Sequence, residues 1–159
     1  MQDNPLFDLK GKSAVITGSS RGIGKAIAIR MAQYGAKVMV SSRKIDSCNK
    51  VVEEITSLGG EAVAHECNIG HKDALQGLTD AAYKNFGKVD ILVLNAASNP
   101  YYGPLANITD EAFEKVMHNN VKSNLWLSNM ILPKMAEAGG GKVIVISSIA
   151  GIQGSGVLG

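Results

Sequence analysis

The sequence predicts an α/β fold in which helices cover both faces of a doubly wound parallel sheet. Short apolar or β-branched runs alternate with longer segments of helical periodicity, and the connections between them are short. No internal repeat, linker or low-complexity tract interrupts this alternation. Such alternation is typical of parallel strands joined by right-handed crossovers. We therefore expect one domain over residues 1–159, with three layers (α/β/α) and the strand order 3-2-1-4-5.

The elements can be placed in order along the chain. Strands are expected near residues 13–17, 37–41, 61–68, 89–97 and 142–148. Helices are expected over residues 22–34, 44–58, 71–86 and 109–137, and the last is predicted to be one long helix because its apolar residues recur every three or four positions. The run from Val89 is almost continuously apolar, which is typical of a strand buried on both faces. Residues 151–159 lack periodicity and bulk, so they are predicted to form a loop.

Composition excludes several classes of function. The net charge is only +2, and basic residues are interspersed with acidic ones, so neither nucleic acid nor a membrane surface is an expected partner. Cys48 and Cys67 lack the spacing of a metal site or a disulfide framework, and no metal is predicted. We find neither an apolar signal segment nor about 18 consecutive apolar residues, and expect a soluble cytoplasmic protein. Thr109 completes a glycosylation sequon, but it precedes an acidic pair and is better explained as a helix cap.

The loop at residues 17–24 reads TGSSRGIG and lies between the first strand and the first helix. In this context Gly18 allows a tight turn, Gly22 lets phosphates approach the backbone, and Gly24 lets the helix pack close to the strand. A dinucleotide is the expected ligand, while another phosphate or a sugar nucleotide on the same scaffold is the alternative. The residues expected to contact the cofactor here are Gly18, Ser20, Arg21, Gly22, Ile23 and Gly24.

The end of the second strand favours NADP over NAD. An acidic residue about 20 positions beyond the glycine loop would bond the ribose hydroxyls of NAD, but Arg43 stands there, preceded by Ser42. A guanidinium pairs well with a 2′-phosphate, and Arg21 could add a second positive contact. The alternative for each arginine is an ordinary solvated surface position. A methyltransferase of similar fold would share the first loop but have an acidic residue in place of Arg43.

These residues resemble the short-chain dehydrogenase/reductase family, whose first motif is Thr-Gly-x-x-x-Gly-x-Gly, and the match covers essentially the whole chain. The stretch after the fourth strand resembles the family's Asn-Asn-Ala-Gly motif and implies that Asn95, Ala96 and Ala97 lie beside the cofactor. Asn68 and Ile69 resemble the pair that contacts adenine, although the family more often has Asp at the first position. The resemblance also implies a Rossmann fold, a small-molecule substrate and a homodimer or homotetramer in which the helix over 109–137 pairs across one interface.

The resemblance extends to two catalytic positions. It implies that Asn120 holds a water in a proton relay and that Ser148 hydrogen-bonds the reacting oxygen and stabilises its developing charge. From the residues alone, Asn120 is a buried amide in a kinked helix, and the serine pair marks a turn in which Ser147 caps the strand end. The stretches NAAxNP and SSRK resemble NADP-dependent carbonyl and retinal reductases. The implied reaction is hydride transfer between NADP(H) and a carbonyl or alcohol.

The family's general acid, a Tyr in Tyr-x-x-x-Lys, has no counterpart in these residues. None of the four tyrosines is followed by lysine four positions later, and the expected position falls just beyond Gly159. We therefore expect these 159 residues to be the N-terminal part of a longer domain, with an exposed apolar sheet edge. The alternative is a catalytically inactive module that binds NADP or a protein partner.

Overall fold

The computed structural model describes residues 5–154 and contains a five-stranded sheet flanked by helices. Each strand except the last leads, through a loop, to helical structure that returns the chain to the start of the next strand. The strands and α-helices are β1 (Ser13–Thr17), α1 (Gly22–Gln33), β2 (Lys37–Ser42), α2 (Ile45–Ser57), β3 (Glu61–Glu66), α3 (Lys72–Phe86), β4 (Ile91–Leu94), α4 (Asp110–Met117), α5 (Ser123–Glu137) and β5 (Lys142–Val145).

The sheet order is β3-β2-β1-β4-β5 and every pairing is parallel, which confirms the predicted order. Val15 in the central strand pairs with Met39 on one side and with Leu92 on the other. Because all the strands run the same way, their carboxyl ends meet along one edge of the sheet. We call this the carboxyl edge; the loops that follow β1 to β5 all begin there.

Two apolar clusters, one on each face of the sheet, hold the helices in place. Successive strand residues point to opposite faces, so Ile16 packs towards α1 and α2, while Val15 packs towards α3 and α5. Both side chains are fully buried, and burial of each stabilises the fold by about 1.5–3 kcal/mol. The helix residues in the first cluster include Ala28, Ala32, Val51 and Ile55, and those in the second include Leu75, Leu78, Leu127 and Ile131.

Three strands end before the predicted boundary. β3, β4 and β5 stop at residues 66, 94 and 145, because the polar residues beyond them form loops. Asn68 closes its own turn by accepting a hydrogen bond from Gly70, and Asn95 reaches across to the end of β1. In the predicted terminal loop, Ile149–Gly151 forms a turn of 3₁₀ helix, and residues 155–159 lie outside the described residues.

The prediction of one long helix over residues 109–137 needs a correction. The segment is helical throughout, but a π-helical stretch at His118–Lys122 separates α4 from α5. The apolar periodicity continues through this stretch and therefore gave no sign of it. The side chains of His118, Asn119 and Asn120 all bond to loops elsewhere in the fold, which accounts for a local departure from α-helical geometry. The predicted cap is confirmed, because Thr109 Oγ1 accepts a hydrogen bond from the Ala112 N–H.

β5 forms an exposed edge of the sheet, as predicted. All four of its residues are exposed, and Val145 retains 59% of its accessible surface. Within residues 5–154, no helix combines the length and apolar character that a membrane crossing requires.

Candidate cofactor and active site

The three glycines of the first loop occupy three different environments. A Cβ added at Gly18 would lie 2.9 Å from the Ala96 Cα, and one added at Gly24 would lie 2.5 Å from both the Gly18 oxygen and Asn95 Nδ2. Gly18 and Gly24 are therefore required for close packing. At Gly22, by contrast, φ is +56°, and an added Cβ would meet no atom within 4 Å. The loop is therefore tightly packed at Gly18 and Gly24 and open at Gly22, where the absence of a side chain leaves the backbone accessible. We call this open side of the loop the glycine cradle.

The amino end of α1 lies at this opening. Arg21 is the N-cap residue with an extended backbone, and no side-chain hydrogen bond caps the helix. The first turn contains no acidic residue, and the Ile23 side chain is 63% exposed. The first N–H groups of a helix need partners, and the positive end of the helix dipole favours an anion. The cradle therefore fits the diphosphate of a dinucleotide.

Two hydroxyls, those of Ser19 and Thr17, hold this loop in place. The sequence did not indicate Ser19, and it indicated Thr17 only as the first residue of the glycine motif. Ser19 is fully buried; its N–H donates to the Ser41 oxygen at 2.9 Å, and its Oγ accepts from the Ser41 N–H at 2.8 Å. Its hydroxyl also donates to the Ile16 oxygen at 2.7 Å. These bonds tie the loop after β1 to the end of β2. The available signal was a serine two residues beyond a buried strand, where a hydroxyl can satisfy nearby backbone groups.

The second hydroxyl belongs to Thr17 and joins the loops after β1 and β4. Thr17 Oγ1 accepts hydrogen bonds from the N–H groups of Asn95 at 3.0 Å and Ala96 at 3.1 Å. In return, Asn95 Nδ2 donates to the backbone oxygens of Thr17 at 2.9 Å and Gly18 at 3.1 Å. Asn95 and Ala96 thus support the glycine cradle, while Ala97 is exposed beside them.

Arg21 and Arg43 are both exposed at the carboxyl edge. Among the residues that the structure describes, neither guanidinium has an ion-pair partner, so both are available to an anionic ligand. The side chain of Ser42 is half-buried, with Oγ 3.2 Å from Cys48 Sγ. Ser20 is half-buried at the neighbouring loop.

Asn68 and Ile69 lie in the loop after β3. Asn68 Oδ1 accepts from the Gly70 N–H at 3.1 Å, so this side chain shapes its own turn. Ile69 is half-buried and packs against the cluster on the α3 side. Cys67, directly before this pair, is buried, and burial raises the pKa of its thiol to about 11 despite a hydrogen bond with Ser41. The thiol therefore stays protonated near neutral pH and is not a nucleophile there.

Asn120 lies in the π-helical segment, and its side-chain amide is fully engaged. Oδ1 accepts from the Ser98 N–H at 2.8 Å, and Nδ2 donates to the Ser98 oxygen at 2.9 Å. The Asn120 backbone oxygen accepts from Asn124 Nδ2 at 2.8 Å. The residues alone indicate a buried amide in a kinked helix; the Asn120 amide is hydrogen-bonded and the helix is interrupted here, but the residue is half-buried rather than buried. The role of Asn120 in holding a water stays a prediction.

Ser148 follows β5 at the carboxyl edge and is exposed. Its Oγ accepts from the Ala150 N–H at 3.2 Å, so Ser148 rather than Ser147 provides the cap at this turn. In the described part of the chain, the Ser148 hydroxyl has no acceptor for its own hydrogen. It can therefore donate that hydrogen to an oxygen of a ligand.

All the predicted site residues thus lie at the carboxyl edge or in the segment packed against it. Ser19 joins the loop after β1 to the end of β2, and Thr17 and Asn95 join the end of β1 to the loop after β4. Within the described ranges, no group of three or more His, Cys, Asp or Glu side chains could hold a metal ion.

The family model for short chain dehydrogenases matches residues 12–158. The chain belongs to the short-chain dehydrogenase/reductase family. It is 39% identical over 141 residues to dehydrogenase/reductase SDR family member 4 of Sus scrofa, a match that covers 89% of this chain and 50% of that protein. It is 43% identical over 145 residues to 7alpha-hydroxysteroid dehydrogenase of Escherichia coli, covering 89% of this chain and 55% of that protein. The chain thus spans about half the length of these curated relatives.

Solved structures of family members superpose closely. A 7 alpha-hydroxysteroid dehydrogenase complexed with NADH and 7-oxo glycochenodeoxycholic acid has a TM-score of 0.91 and 40% identity, covering 98% of this chain and 60% of its own. A metagenomic short-chain oxidoreductase in complex with NADP has a TM-score of 0.86 and 35% identity, covering 92% of this chain and 66% of its own. One of these relatives carries NADH and the other NADP, so family membership alone does not decide the cofactor preference.

Proposed function

We propose that this chain binds NADP(H) and forms the cofactor-binding part of an oxidoreductase that interconverts a carbonyl and an alcohol. The observation that carries the proposal is the open glycine cradle at Gly22, at the same edge of the sheet as Arg21 and Arg43. Within the described residues, neither guanidinium group forms an ion pair. The proposal includes that these residues are the N-terminal part of a longer domain. We also propose that the protein is cytoplasmic and homo-oligomeric, and that it is similar to carbonyl and retinal reductases.

The cofactor contacts follow from the exposed groups of the carboxyl edge. The free N–H groups at the start of α1 would bind the diphosphate, because they combine hydrogen-bond donors with the positive helix end. Arg43, with Arg21, would pair with the 2′-phosphate that distinguishes NADP from NAD. The loop at Asn68 and Ile69 would contact the adenine, and Asn95 to Ala97 would border the rest of the adenosine half. When bound, the cofactor supplies or accepts the hydride.

The chain also provides groups for the reacting oxygen. Ser148 can donate its hydroxyl hydrogen to a carbonyl oxygen, since that hydrogen has no acceptor among the described residues. Such a donor stabilises negative charge as it develops on that oxygen. Asn120 would support a water in the proton relay through its backbone, because its side-chain amide is held by Ser98. In the whole protein, we expect Ser148→Ala to lower kcat at least tenfold.

The cofactor preference can be tested by measuring the dissociation constants of NADPH and NADH for Arg43→Asp. A charge-assisted hydrogen bond contributes about 1.5–3 kcal/mol, so NADPH binding should weaken by about 10- to 100-fold, while NADH binding stays equal or improves. Lys84→Asp is the matched control, since it changes the net charge equally from the last turn of α3, far from the carboxyl edge. An unchanged ratio of the two constants in Arg43→Asp would refute NADP specificity.

A second candidate is a module that binds NADP(H) without turnover. It is favoured by one observation: none of the four tyrosines is followed by a lysine four positions later, so the 159 residues lack the acid pair of the family motif. Proton transfer to an alkoxide near neutral pH requires a positioned acid. The two candidates are separated by the intact mass of the native protein, followed by NADPH oxidation with a panel of ketones and aldehydes. A native protein that extends beyond Gly159 and oxidises NADPH would support the first candidate, whereas a native protein of 159 residues that binds NADPH without oxidation above background would support the second.

A further inference from the structure

The loop after β3 has one anchor that neither the glycine motif nor the family resemblance indicates. His118 Nε2 lies 2.9 Å from the Gly70 backbone oxygen, and because a carbonyl can only accept, the imidazole N–H is the donor. Residues 118 and 70 are 48 positions apart. Among the described residues, His118 is the one side chain from another element that hydrogen-bonds to residues 68–70.

Apart from this bond, the loop is held by its own turn and by one apolar side chain. Asn68 is exposed, and its side chain bonds only to the Gly70 N–H within its own turn. Ile69 packs against the core cluster on the α3 side. The Gly70 backbone also lies close to the π-helical segment, since a Cβ added there would be 3.1 Å from Asn119 Oδ1. The segment that carries His118 and Asn119 therefore fixes the Gly70 end of the loop.

The His118 ring is itself held in place. It packs edge-on against Trp126, with ring centroids 5.3 Å apart and an interplanar angle of 87°. The ammonium groups of Lys72 and Lys122 lie 5.9 and 5.0 Å from the centre of the Trp126 ring. Lys72 begins α3, directly beyond the loop, so the same aromatic group links the π-helical segment to the helix that follows residues 68–70. Because the His118 ring is fixed in this way, its hydrogen bond holds the Gly70 carbonyl in a defined position.

The next two residues of the segment hold the loop after β4. Asn119 Nδ2 donates to Ser98 Oγ at 2.9 Å, and Asn120 bonds to both backbone groups of Ser98. Three consecutive residues therefore fix the relative positions of the loops after β3 and β4.

We propose that His118 is a positioning residue for the adenosine half of the dinucleotide, because its bond to Gly70 holds Asn68 and Ile69 in the shape that receives it. This inference rests on the proposed function, since it requires that the loop after β3 contacts the cofactor. His118 touches no part of the ligand in this proposal; it acts through the backbone of Gly70.

The test compares two substitutions in the 159-residue chain. His118→Phe keeps an aromatic ring against Trp126 but removes the donor, whereas His118→Gln keeps an N–H donor of similar reach. Lys122→Gln is the control, because it removes a charge near the Trp126 ring and leaves the bond between His118 and Gly70 in place. Trp126 is the one tryptophan of the chain, so its fluorescence can follow each titration.

The probes are NADPH, adenosine 2′,5′-bisphosphate and reduced nicotinamide mononucleotide. His118→Phe should weaken binding of the first two by about 3- to 10-fold, the range expected for one lost hydrogen bond, and leave the mononucleotide unchanged. His118→Gln should restore binding to within about twofold, and Lys122→Gln should match the original chain. In the ligand-free chain, His118→Phe should accelerate hydrogen exchange at the Gly70 amide but not in β1 or β4.

Each contrary result has a distinct meaning. If the original chain binds NADPH and His118→Phe binds it equally well, this inference is wrong while the proposed function stands. An equal loss for all three probes, or unchanged exchange at Gly70, would also overturn the positioning role. If the original chain binds neither NADPH nor the bisphosphate, the proposed function fails, and this inference fails with it.

Discussion

Gly22→Ala and Gly24→Ala should have opposite consequences, although the two residues lie within one turn of α1. At Gly24, an added Cβ would overlap the Gly18 oxygen and Asn95 Nδ2, each at 2.5 Å. At Gly22, it would enter open space, with only the positive φ of +56° to disfavour it. We expect Gly22→Ala to act mainly on cofactor affinity, with a modest loss of stability from backbone strain, and Gly24→Ala to act mainly on the stability of the fold.

The magnitudes follow from the contacts. Gly24→Ala displaces the Asn95 amide and breaks its bonds to Thr17 and Gly18, each contributing about 0.5–1.5 kcal/mol. Overpacking adds about 1–3 kcal/mol, partly offset by a helix-propensity gain of up to about 1 kcal/mol. The net loss is about 1–6 kcal/mol, or roughly 2–24 °C in Tm for a chain of this size. Gly22→Ala costs about 1–2 kcal/mol of backbone strain, or roughly 2–8 °C.

The assay pairs thermal unfolding with NADPH titration for both variants and the original chain. Gly22→Ala should bind NADPH more than tenfold more weakly, because the methyl group occupies the surface that the diphosphate approaches. Gly24→Ala should show the larger fall in Tm in the absence of any ligand. The reasoning is refuted if Gly22→Ala retains full affinity, or if it lowers Tm as much as Gly24→Ala does.

Two further predictions concern ionisable groups. Burial alone would raise the pKa of Asp90, which is 14% exposed, but hydrogen bonds from Lys88 and Ser13 lower it below its ordinary value of 3.8. The stabilisation by the Asp90 carboxylate is therefore complete above the unfolded pKa and is lost as the pH falls through the folded pKa. Asp90→Asn should lower the free energy of unfolding by about 1 kcal/mol at pH 7, and urea titrations at lower pH should show a progressively smaller loss. Burial raises the pKa of the Cys67 thiol to about 11. In a Cys48→Ala variant, this thiol should therefore react with iodoacetamide at pH 8 about 100-fold more slowly in the folded chain than in urea. Similar rates in the two conditions would contradict its burial.

Much of the fold could be predicted because its determinants are local. The period of the apolar residues separates strand from helix over a few residues, and parallel order follows from their alternation. The glycine loop was equally predictable, since a positive φ, as at Gly18 and Gly22, is a local requirement that glycine meets without strain. The roles of Ser19 and Thr17 in holding this loop were not predicted, because they depend on hydrogen bonds to Ser41 and Asn95, which are distant in the chain.

The positions of candidate site residues could be predicted where they depend on the residue's place at the end of a strand, but not where they depend on contacts between segments that are distant in the chain. Arg43 and Ser148 lie at strand ends, and the order of the strands brings those ends to one edge. The structure alone revealed that Ser98 engages the Asn120 amide and that Ser148, not Ser147, caps its turn. Both depend on loop geometry that no periodicity encodes.

By itself, the sequence determined the alternation of strands and helices and the open glycine cradle, because these follow from local periodicity and from the conformational freedom of glycine. The sheet order could be predicted because this alternation indicates a doubly wound topology, whose strand order is known. Only the tertiary structure decided that the predicted helix over 109–137 contains a π-helical segment and that His118 reaches Gly70. Apolar periodicity continues through that segment, so the local pattern predicts an uninterrupted helix. The departure is associated with hydrogen bonds between residues that are distant in the chain, and such bonds exist only once the sheet and helices have brought their loops together.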